Sequence, residues 1–171
     1  NTKFGRFSMF GILASSSIEI GGGSSNTLYG NGNQVDFASK IGIGGVNHFK
    51  QLNAKSYLST TVGVNYASTD QTGYAYDQMA DSSFVRETSN VAKTTYFLSS
   101  NYNLKINSRL FLKVGFQDEI MGVDLYYKTR DNIFTPEKQI WDSQSSTNLL
   151  QAYAHLKYSI SNKLTLNAGL H

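Results

Sequence analysis

Cysteine, proline and long apolar runs are all scarce or absent in this sequence. None of the 171 residues is cysteine, which excludes disulfide scaffolds and thiolate metal sites. Proline occurs once, as Pro136. No run of about 18 apolar residues exists, so a helical membrane protein is excluded. The net charge of +3 is small and scattered, and therefore gives no indication of a nucleic-acid partner.

Aromatic residues are abundant, with 11 tyrosines and 10 phenylalanines, while the hydrophobic fraction is 40%. The mean hydropathy is −0.32, which is only mildly polar. The strands of a transmembrane β-barrel alternate apolar and polar residues, and they are therefore only mildly hydrophobic on average. The composition is compatible with such a barrel.

One turn signature recurs three times, at 52–58, 106–112 and 160–166. Each copy reads apolar, Asn or Ser, small or polar, Lys or Arg, any, any, Leu, and the copies start 54 residues apart. A repeat of that length usually indicates a solenoid or propeller. Here the flanking residues alternate, so each copy is expected to be the short turn of a β-hairpin. Short turns at one end and long polar loops at the other are typical of a transmembrane β-barrel.

The alternation predicts seven strands, at roughly 4–20, 35–50, 56–68, 92–104, 109–128, 147–159 and 163–171. Long loops are expected at about 21–34, 69–91 and 129–146. The paired glycines at 44–45 suggest a β-bulge. Asp118 shares the parity of the apolar residues of its strand, and we expect it near or beyond the outer membrane interface.

Apolar residues of shared parity on adjacent strands define an expected lipid-facing set. Successive side chains of a strand point to opposite faces, so each segment has one apolar and one polar face. The set consists of Tyr96, Leu98, Leu112, Val114, Leu150, Ala152, Leu156, Leu164 and Leu166. A soluble β-sandwich also alternates, but its loops and strands are shorter and its polar face is less systematic. The sequence therefore favours an all-β, antiparallel up-and-down meander from a membrane barrel.

The chain is expected to be one β-barrel fragment spanning 1–171. It begins without an initiator methionine or a signal-type segment, and its last residues are strand-like. Single-chain bacterial barrels have even strand numbers, and seven strands would enclose little room for polar side chains. We therefore expect an open, curved sheet with unpaired edges at 4–20 and 163–171, without a plug, signal peptide or regulatory domain.

Segments 4–11, 110–127, 149–158 and 162–171 resemble the barrel of TonB-dependent outer-membrane receptors. The resemblance is greatest to those with an N-terminal carboxypeptidase-like regulatory domain. It covers nearly the whole chain and implies a 22-stranded barrel of which this chain is part. It also implies an internal plug domain and energised uptake through contact with the periplasmic TonB protein. The shared strand-and-turn patterns carry no information on the ligand, and no functional residue can be transferred.

Candidate ligand contacts are aromatic or polar residues of the expected outer loops and lumen face. In the loops they are Tyr74, Tyr76 and Trp141, because aromatic rings suit sugars or other flat ligands, although they also form membrane-interface girdles. On the polar face they are Gln151, Tyr153 and His155. The acidic residues of 69–91 lack the spacing of a calcium loop, and the histidines lack the spacing of a metal site. No metal site or cofactor is predicted.

The sequence favours a receptor that imports a nutrient by energised transport across the outer membrane of a Gram-negative bacterium. Its expected partners are outer-membrane lipid, its own plug domain, periplasmic TonB and an unidentified nutrient. A passive pore or an adhesive barrel is the alternative. An outer-membrane enzyme is a third possibility, but no Ser-His-Asp arrangement is recognisable, and Ser99 and His155 lie on strands expected not to be adjacent.

Overall fold

The computed structural model describes residues 4–21 and 33–171, and these form one antiparallel β-sheet without helices. Its seven strands are paired in chain order, as an up-and-down meander. They are β1 (Arg6–Gly21), β2 (Gln34–Asn53), β3 (Ser56–Asp77), β4 (Ser82–Lys105), β5 (Leu110–Thr129), β6 (Lys138–Ser159) and β7 (Thr165–Leu170). The predicted number and order of strands are confirmed.

The sheet is open within the described residues. β1 pairs only with β2 and β7 only with β6, so the outer edge of each has no partner strand there. Because the strands run up and down, the connections β2–β3, β4–β5 and β6–β7 lie at one end, which we call the turn end. The connections β3–β4 and β5–β6 lie at the opposite end, which we call the far end.

Two of the three predicted long loops are wrong. Most of 69–91 belongs to β3 and β4, which are joined by only residues 78–81. Most of 129–146 is also strand, because β6 begins at Lys138. Both faces of these stretches carry many polar residues, so the sequence shows no clear alternation of apolar and polar residues and predicts a loop. Their backbone groups nevertheless pair with neighbouring strands. The third predicted loop, 21–34, lies mainly outside the described residues.

The repeated signature corresponds to side-chain capping at the turn end. Asn53 Oδ1 accepts a hydrogen bond from Lys55 N at 2.8 Å. Asn107 Oδ1 accepts from Arg109 N at 2.8 Å and from Leu110 N at 2.9 Å. In the third copy, Ser161 Oγ accepts from Lys163 N at 3.3 Å. The Asn or Ser of each copy therefore satisfies amides that the turn leaves free, which is what these residues do in turns generally.

Backbone hydrogen bonds also join each turn to the next one at the turn end. Lys105 N donates to Lys55 O at 2.7 Å, and Ser159 N donates to Arg109 O at 2.8 Å. In both cases the acceptor is the basic residue of the signature and the donor lies 50 residues later. The constant spacing of the copies therefore places equivalent atoms of neighbouring hairpins within hydrogen-bonding distance.

The strand register places apolar residues of shared parity on one face, which we call the apolar face. Leu98 is opposite Asp118 and Val62, Val114 is opposite Ala154 and Tyr102, and Leu156 is opposite Leu112. All strand members of the predicted lipid-facing set share this face; Leu164 precedes β7. The opposite side, which we call the polar face, carries Asn47, Asn101, Lys113, Gln151 and their neighbours.

The described residues contain no second layer that would cover the apolar face. Phe84 is the only hydrophobic residue buried among them, and its side chain lies at the far end. On the apolar face Leu150 is 70% exposed and Tyr96 is 60% exposed. A soluble sandwich would bury one face of each sheet against another sheet. No such packing is present in 4–21 and 33–171.

The glycine pair of β2 does not form the predicted bulge. Register with β1 and β3 is continuous through Gly44 and Gly45, and β2 shifts only between Gln51 and Asn53. Instead, the ring of Phe10 lies over Gly45, so that a Cβ there would meet Phe10 Cζ at 2.6 Å. The bulge expectation was wrong, since Gly45 makes room for the Phe10 ring of the neighbouring strand. Aromatic rings packed across a glycine in this way stabilise glycine within strands.

Asp118 lies on the apolar face between Leu98 and Leu150. Its Oδ1 is buried without a hydrogen-bond partner. Ile120 and Tyr96, which oppose each other one step further from the turn end, continue the apolar face beyond it. The carboxyl therefore interrupts the apolar surface.

Candidate functional site

A row of side chains on the polar face crosses four strands near the far end. Trp141 of β6 is directly opposite Tyr127 of β5, which is opposite Ser89 of β4, and Ser89 is opposite Gln71 of β3. The Trp141 and Tyr127 rings are 5.5 Å apart between centroids and are tilted by 43°. Glu87 lies in the adjacent row, two residues before Ser89 on β4. We call Trp141, Tyr127, Gln71 and this Glu87 the far-end strip.

Glu87 contributes a carboxylate that is held from two sides. Gln71 Nε2 donates to Oε1 at 3.2 Å, and Tyr127 Oη donates to Oε2 at 3.3 Å. Glu87 pairs with Gly73, where a Cβ would meet Glu87 Cγ at 2.6 Å, so the glycine leaves the space that this side chain occupies. Among the described residues Glu87 makes no salt bridge. The carboxylate is thus oriented by neutral donors and keeps lone pairs for further hydrogen bonds.

A second group of polar-face residues lies near the turn end, and we call it the turn-end cluster. Tyr153 Oη donates to Asn101 Oδ1 across β5, passing over Gly115. Lys113 Nζ lies 5.4 Å from the centre of the Tyr153 ring, within range of a cation–π contact. The His171 ring is stacked beside Tyr153 at 6.4 Å. The predicted lumen residues Tyr153, His155 and Gln151 share this face, and His155 is opposite Lys113.

The structure does not bring the predicted ligand contacts into one site. Trp141 and Tyr153 are on the same strand and the same face, but twelve residues separate them. At about 3.3 Å per residue this is about 40 Å, too far for one small ligand to contact both. Trp141 and the turn-end cluster are therefore two separate candidate sites.

Tyr74 and Tyr76 lie within β3 and Trp141 lies within β6, not in loops, which corrects the predicted position of all three. Tyr74 follows a register shift, in which Gly73 is opposite Glu87 and Tyr74 is opposite Val85, so that Arg86 is the extra residue of β4. Tyr76 Oη donates to Asp81, whose φ of 48° closes the 78–81 turn. Tyr76 is thus occupied in shaping this turn.

A shallow cavity of about 410 Å³ adjoins this turn and includes Phe84, Arg86 and Asn132. Arg130 packs its guanidinium 5.0 Å above the Phe84 ring and donates from Nε to Val85 O at 2.7 Å. Asn132 Oδ1 accepts from Phe134 N and Thr135 N, and thereby caps its own connection. These polar groups mainly stabilise the far-end turns.

One ion pair lies beside the strip. Lys128 Nζ contacts Glu137 Oε2 at 2.6 Å. The hydrogen bond from Lys128 holds the pKa of the Glu137 carboxyl below its ordinary value. No group of metal-ligating side chains occurs among residues 4–21 and 33–171.

Ser99 and His155, the pair considered for a catalytic role, are not on neighbouring strands. β5 separates Ser99 on β4 from His155 on β6, as the sequence indicates. His48 instead stacks on Phe7 at 4.5 Å between ring centres, and its Nε2 lies 2.7 Å from Phe4 O. Its contacts are those of a structural residue.

Sequence reasoning named Trp141 but missed Glu87, Gln71 and Tyr127 as its neighbours. Glu87 and Gln71 lie in 69–91, for which the sequence predicts a long loop, and side chains of a loop have no face in common with those of neighbouring strands. A signal was available: Gln71, Gly73, Glu87 and Ser89 keep odd parity in two stretches joined by the Asp77–Asp81 turn. Reading that stretch as a hairpin would have placed them side by side.

No helix long and apolar enough to cross a membrane occurs in the described part of the chain. No protein-family model, no curated protein and no solved structure matches this chain.

Proposed function

We propose that this chain is part of the barrel of a TonB-dependent receptor, which imports a nutrient across the outer membrane of a Gram-negative bacterium. The observation that carries the proposal is the uncovered apolar face, which extends over all seven strands. Met9 and Leu13 of β1 are 83% and 89% exposed, and Leu166 and Leu170 of β7 are 57% and 81% exposed. Soluble monomers rarely leave contiguous apolar surface of this extent in water.

Strand length and backbone pairing support a membrane location. Each of β2–β6 has 20 to 24 residues, whereas a tilted strand of about 9–11 residues crosses the hydrocarbon core. The apolar face occupies the half of these strands next to the turn end. Paired strands satisfy their own backbone groups, which is the condition for crossing lipid as a β-structure. The far halves carry polar residues on both faces among scattered apolar ones, and they would project beyond the membrane.

The polar face suits the inside of a barrel. Asn47 Nδ2 donates to Thr61 Oγ1 at 2.8 Å, and Gln117 Nε2 donates to Glu119 Oε1 at 2.6 Å. Together with the turn-end cluster, these groups form a hydrogen-bonded surface that would face the lumen and a plug domain. Outer-membrane barrels alternate in this way, with apolar residues outward and polar residues inward.

Energised transport is supported by the resemblance of segments 110–127, 149–158 and 162–171 to receptor barrels. Under this proposal the turn end faces the periplasm, and the far end faces the medium. Loops and strand ends on a rigid scaffold are where recognition is usually located. The plug and the TonB protein would supply gating and energy.

Localisation is tested by fractionating cells that express the full-length native protein. We expect the protein in the outer-membrane fraction, with residues 78–81 cleaved by protease added to intact cells and 160–163 protected. Recovery of the protein in a soluble fraction contradicts the membrane assignment.

Transport is tested separately, because a passive pore would have the same location. The purified full-length protein is inserted into planar bilayers, where a plugged receptor should show no sustained conductance. A stable open conductance would indicate the passive pore instead. A comparison of spent media from wild-type and deletion strains then identifies the compounds that the protein imports.

A further inference from the structure

We propose that the far-end strip is a binding site for a linear oligosaccharide. The inference rests on the proposed function in one respect, since it names the class of nutrient that the receptor would recognise. Its physical basis is the arrangement of Trp141, Tyr127, Glu87 and Gln71 on the polar face.

The strip provides a flat apolar surface at one end. Trp141 is 62% exposed, and its only ring partner among the described residues is Tyr127. An exposed indole beside a second ring offers its face to a ligand, and the C–H face of a sugar ring is a suitable partner. The two ring planes are tilted by 43°, so the rings lie side by side and do not form the walls of an enclosed pocket.

Hydrogen-bonding groups lie beside the two rings. The Glu87 carboxylate has room for about four accepted hydrogen bonds, of which Gln71 and Tyr127 use one each. Sugar hydroxyls are donors of the right kind for the remaining positions. Ser89 lies between Tyr127 and Gln71 in the same row and adds a hydroxyl.

The length of the row indicates an extended ligand. Trp141 to Gln71 spans three intervals between neighbouring strands, which is about 14 Å at the usual spacing. A ligand that contacts both the indole and the Glu87 carboxylate has to cross the Tyr127 ring, which lies between them. A short chain of sugar rings can place one ring on Trp141 and the next over Glu87.

An organic cation is the competing ligand class, because aromatic rings with a carboxylate also bind amines. Two features disfavour it. Lys138 lies on the same face in the row Glu87, Thr129, Lys138, and its charge opposes a cation there. The rings are also arranged as a strip and not as a cage.

The test measures binding of linear hexasaccharides to the purified full-length protein by calorimetry, using α-1,4-glucan, β-1,4-glucan and β-1,4-xylan probes. At least one probe should bind, and Trp141→Ala should weaken it about tenfold or more through loss of ring stacking. Trp141→Phe keeps an aromatic ring and should restore most of the affinity. Glu87→Gln, which removes the charge but keeps the shape, should weaken binding about threefold to tenfold.

Tyr96→Ala is the matched control, because Tyr96 is an equally exposed aromatic residue on the opposite face, at 60%. It should leave the affinity unchanged. Equal affinity of wild type and Trp141→Ala overturns the inference, as does absence of binding to all three probes. Tetramethylammonium binding that depends on Trp141, with no saccharide binding, assigns the strip to cations and also overturns it.

Failure of this inference is distinct from failure of the proposed function. Binding in detergent solution needs neither the outer membrane nor TonB. A protein that fractionates with the outer membrane but binds no saccharide keeps the receptor proposal and loses the ligand class. A soluble protein that binds saccharide through Trp141 does the reverse.

Discussion

Gly115 shows how one residue permits a contact between strands that are not neighbours. A Cβ at this position would meet Asn101 Oδ1 at 2.6 Å, Tyr153 Cζ at 2.8 Å and Ser100 O at 2.9 Å. One of these atoms belongs to the backbone and cannot move aside easily. Only glycine lets the Tyr153 ring lie flat enough on β5 to reach Asn101 on β4.

Gly115→Ala is therefore expected to break the Tyr153–Asn101 hydrogen bond and to destabilise the protein by about 1–3 kcal/mol. The measurement is urea unfolding of the full-length protein in lipid vesicles. Gly122→Ala on the same strand is the control, because its new Cβ would lie 3.9 Å from the nearest atom, Thr94 O. Equal stability of the two variants would contradict this account of Gly115.

The Lys128–Glu137 pair predicts a pH effect at the far end. The pKa of Glu137 is lowered in the folded protein by the hydrogen bond from Lys128, so the pair contributes stability above the unfolded-state pKa. That contribution is lost as the pH falls through the lowered folded-state value. In a carboxyl NMR titration, Lys128→Met should return the pKa of Glu137 toward its ordinary value. An unchanged titration would show that Lys128 is not the cause.

At the scale of elements, the three short turns depend on their capping side chains. Asn107→Ala removes two hydrogen bonds to backbone amides and should cost about 1–2 kcal/mol. Ser108→Ala in the same turn is the control, because the Ser108 hydroxyl makes no hydrogen bond within the described part of the chain. The rate of folding into detergent micelles, measured by the change in gel mobility, should fall for Asn107→Ala and stay unchanged for Ser108→Ala. Equal effects of both changes would argue against capping.

The strands of the turn-end half could be predicted from the sequence, whereas their far halves could not. Near the turns, residues such as Leu112, Lys113 and Val114 alternate between an apolar and a polar face, and this pattern survives in the register. Beyond Asp70 and Leu125 both faces carry polar groups, so alternation of hydropathy no longer marks a strand. There the strand is specified by backbone pairing with neighbours that are distant in sequence.

The candidate site was partly predictable for the same reason. Trp141 stands out as the single tryptophan, and its exposure could be expected from its polar surroundings. Its partners are Tyr127 on another strand and, through it, Glu87 on a third. Those contacts lie in the register that runs unbroken from the turn end and ends at the shifts at Gly73/Tyr74 and Tyr127/Lys128. Apolar alternation in the sequence fades before that point, so it does not show how far the register continues.

At the scale of the whole molecule, the proposed lipid contact predicts opposite responses for adjacent residues. Leu112→Arg places a charge on the apolar face and should destabilise the protein by about 2–4 kcal/mol if that position lies near the bilayer centre. Lys113→Arg, on the polar face, keeps its charge and should be nearly silent. Unfolding of both variants in lipid vesicles provides the measurement. A tolerated Leu112→Arg would mean that this face does not contact lipid.

The hydrogen bonds between successive turns make the sheet extensible in fixed steps. Lys55 O and Arg109 O each accept a hydrogen bond from an amide 50 residues later, so the first two turns offer the next hairpin the same point of contact. Duplicating or deleting one complete period, such as 56–109, would preserve this junction on both sides. The width of the sheet can thus change by whole hairpins, while the sequences of the remaining hairpins stay the same.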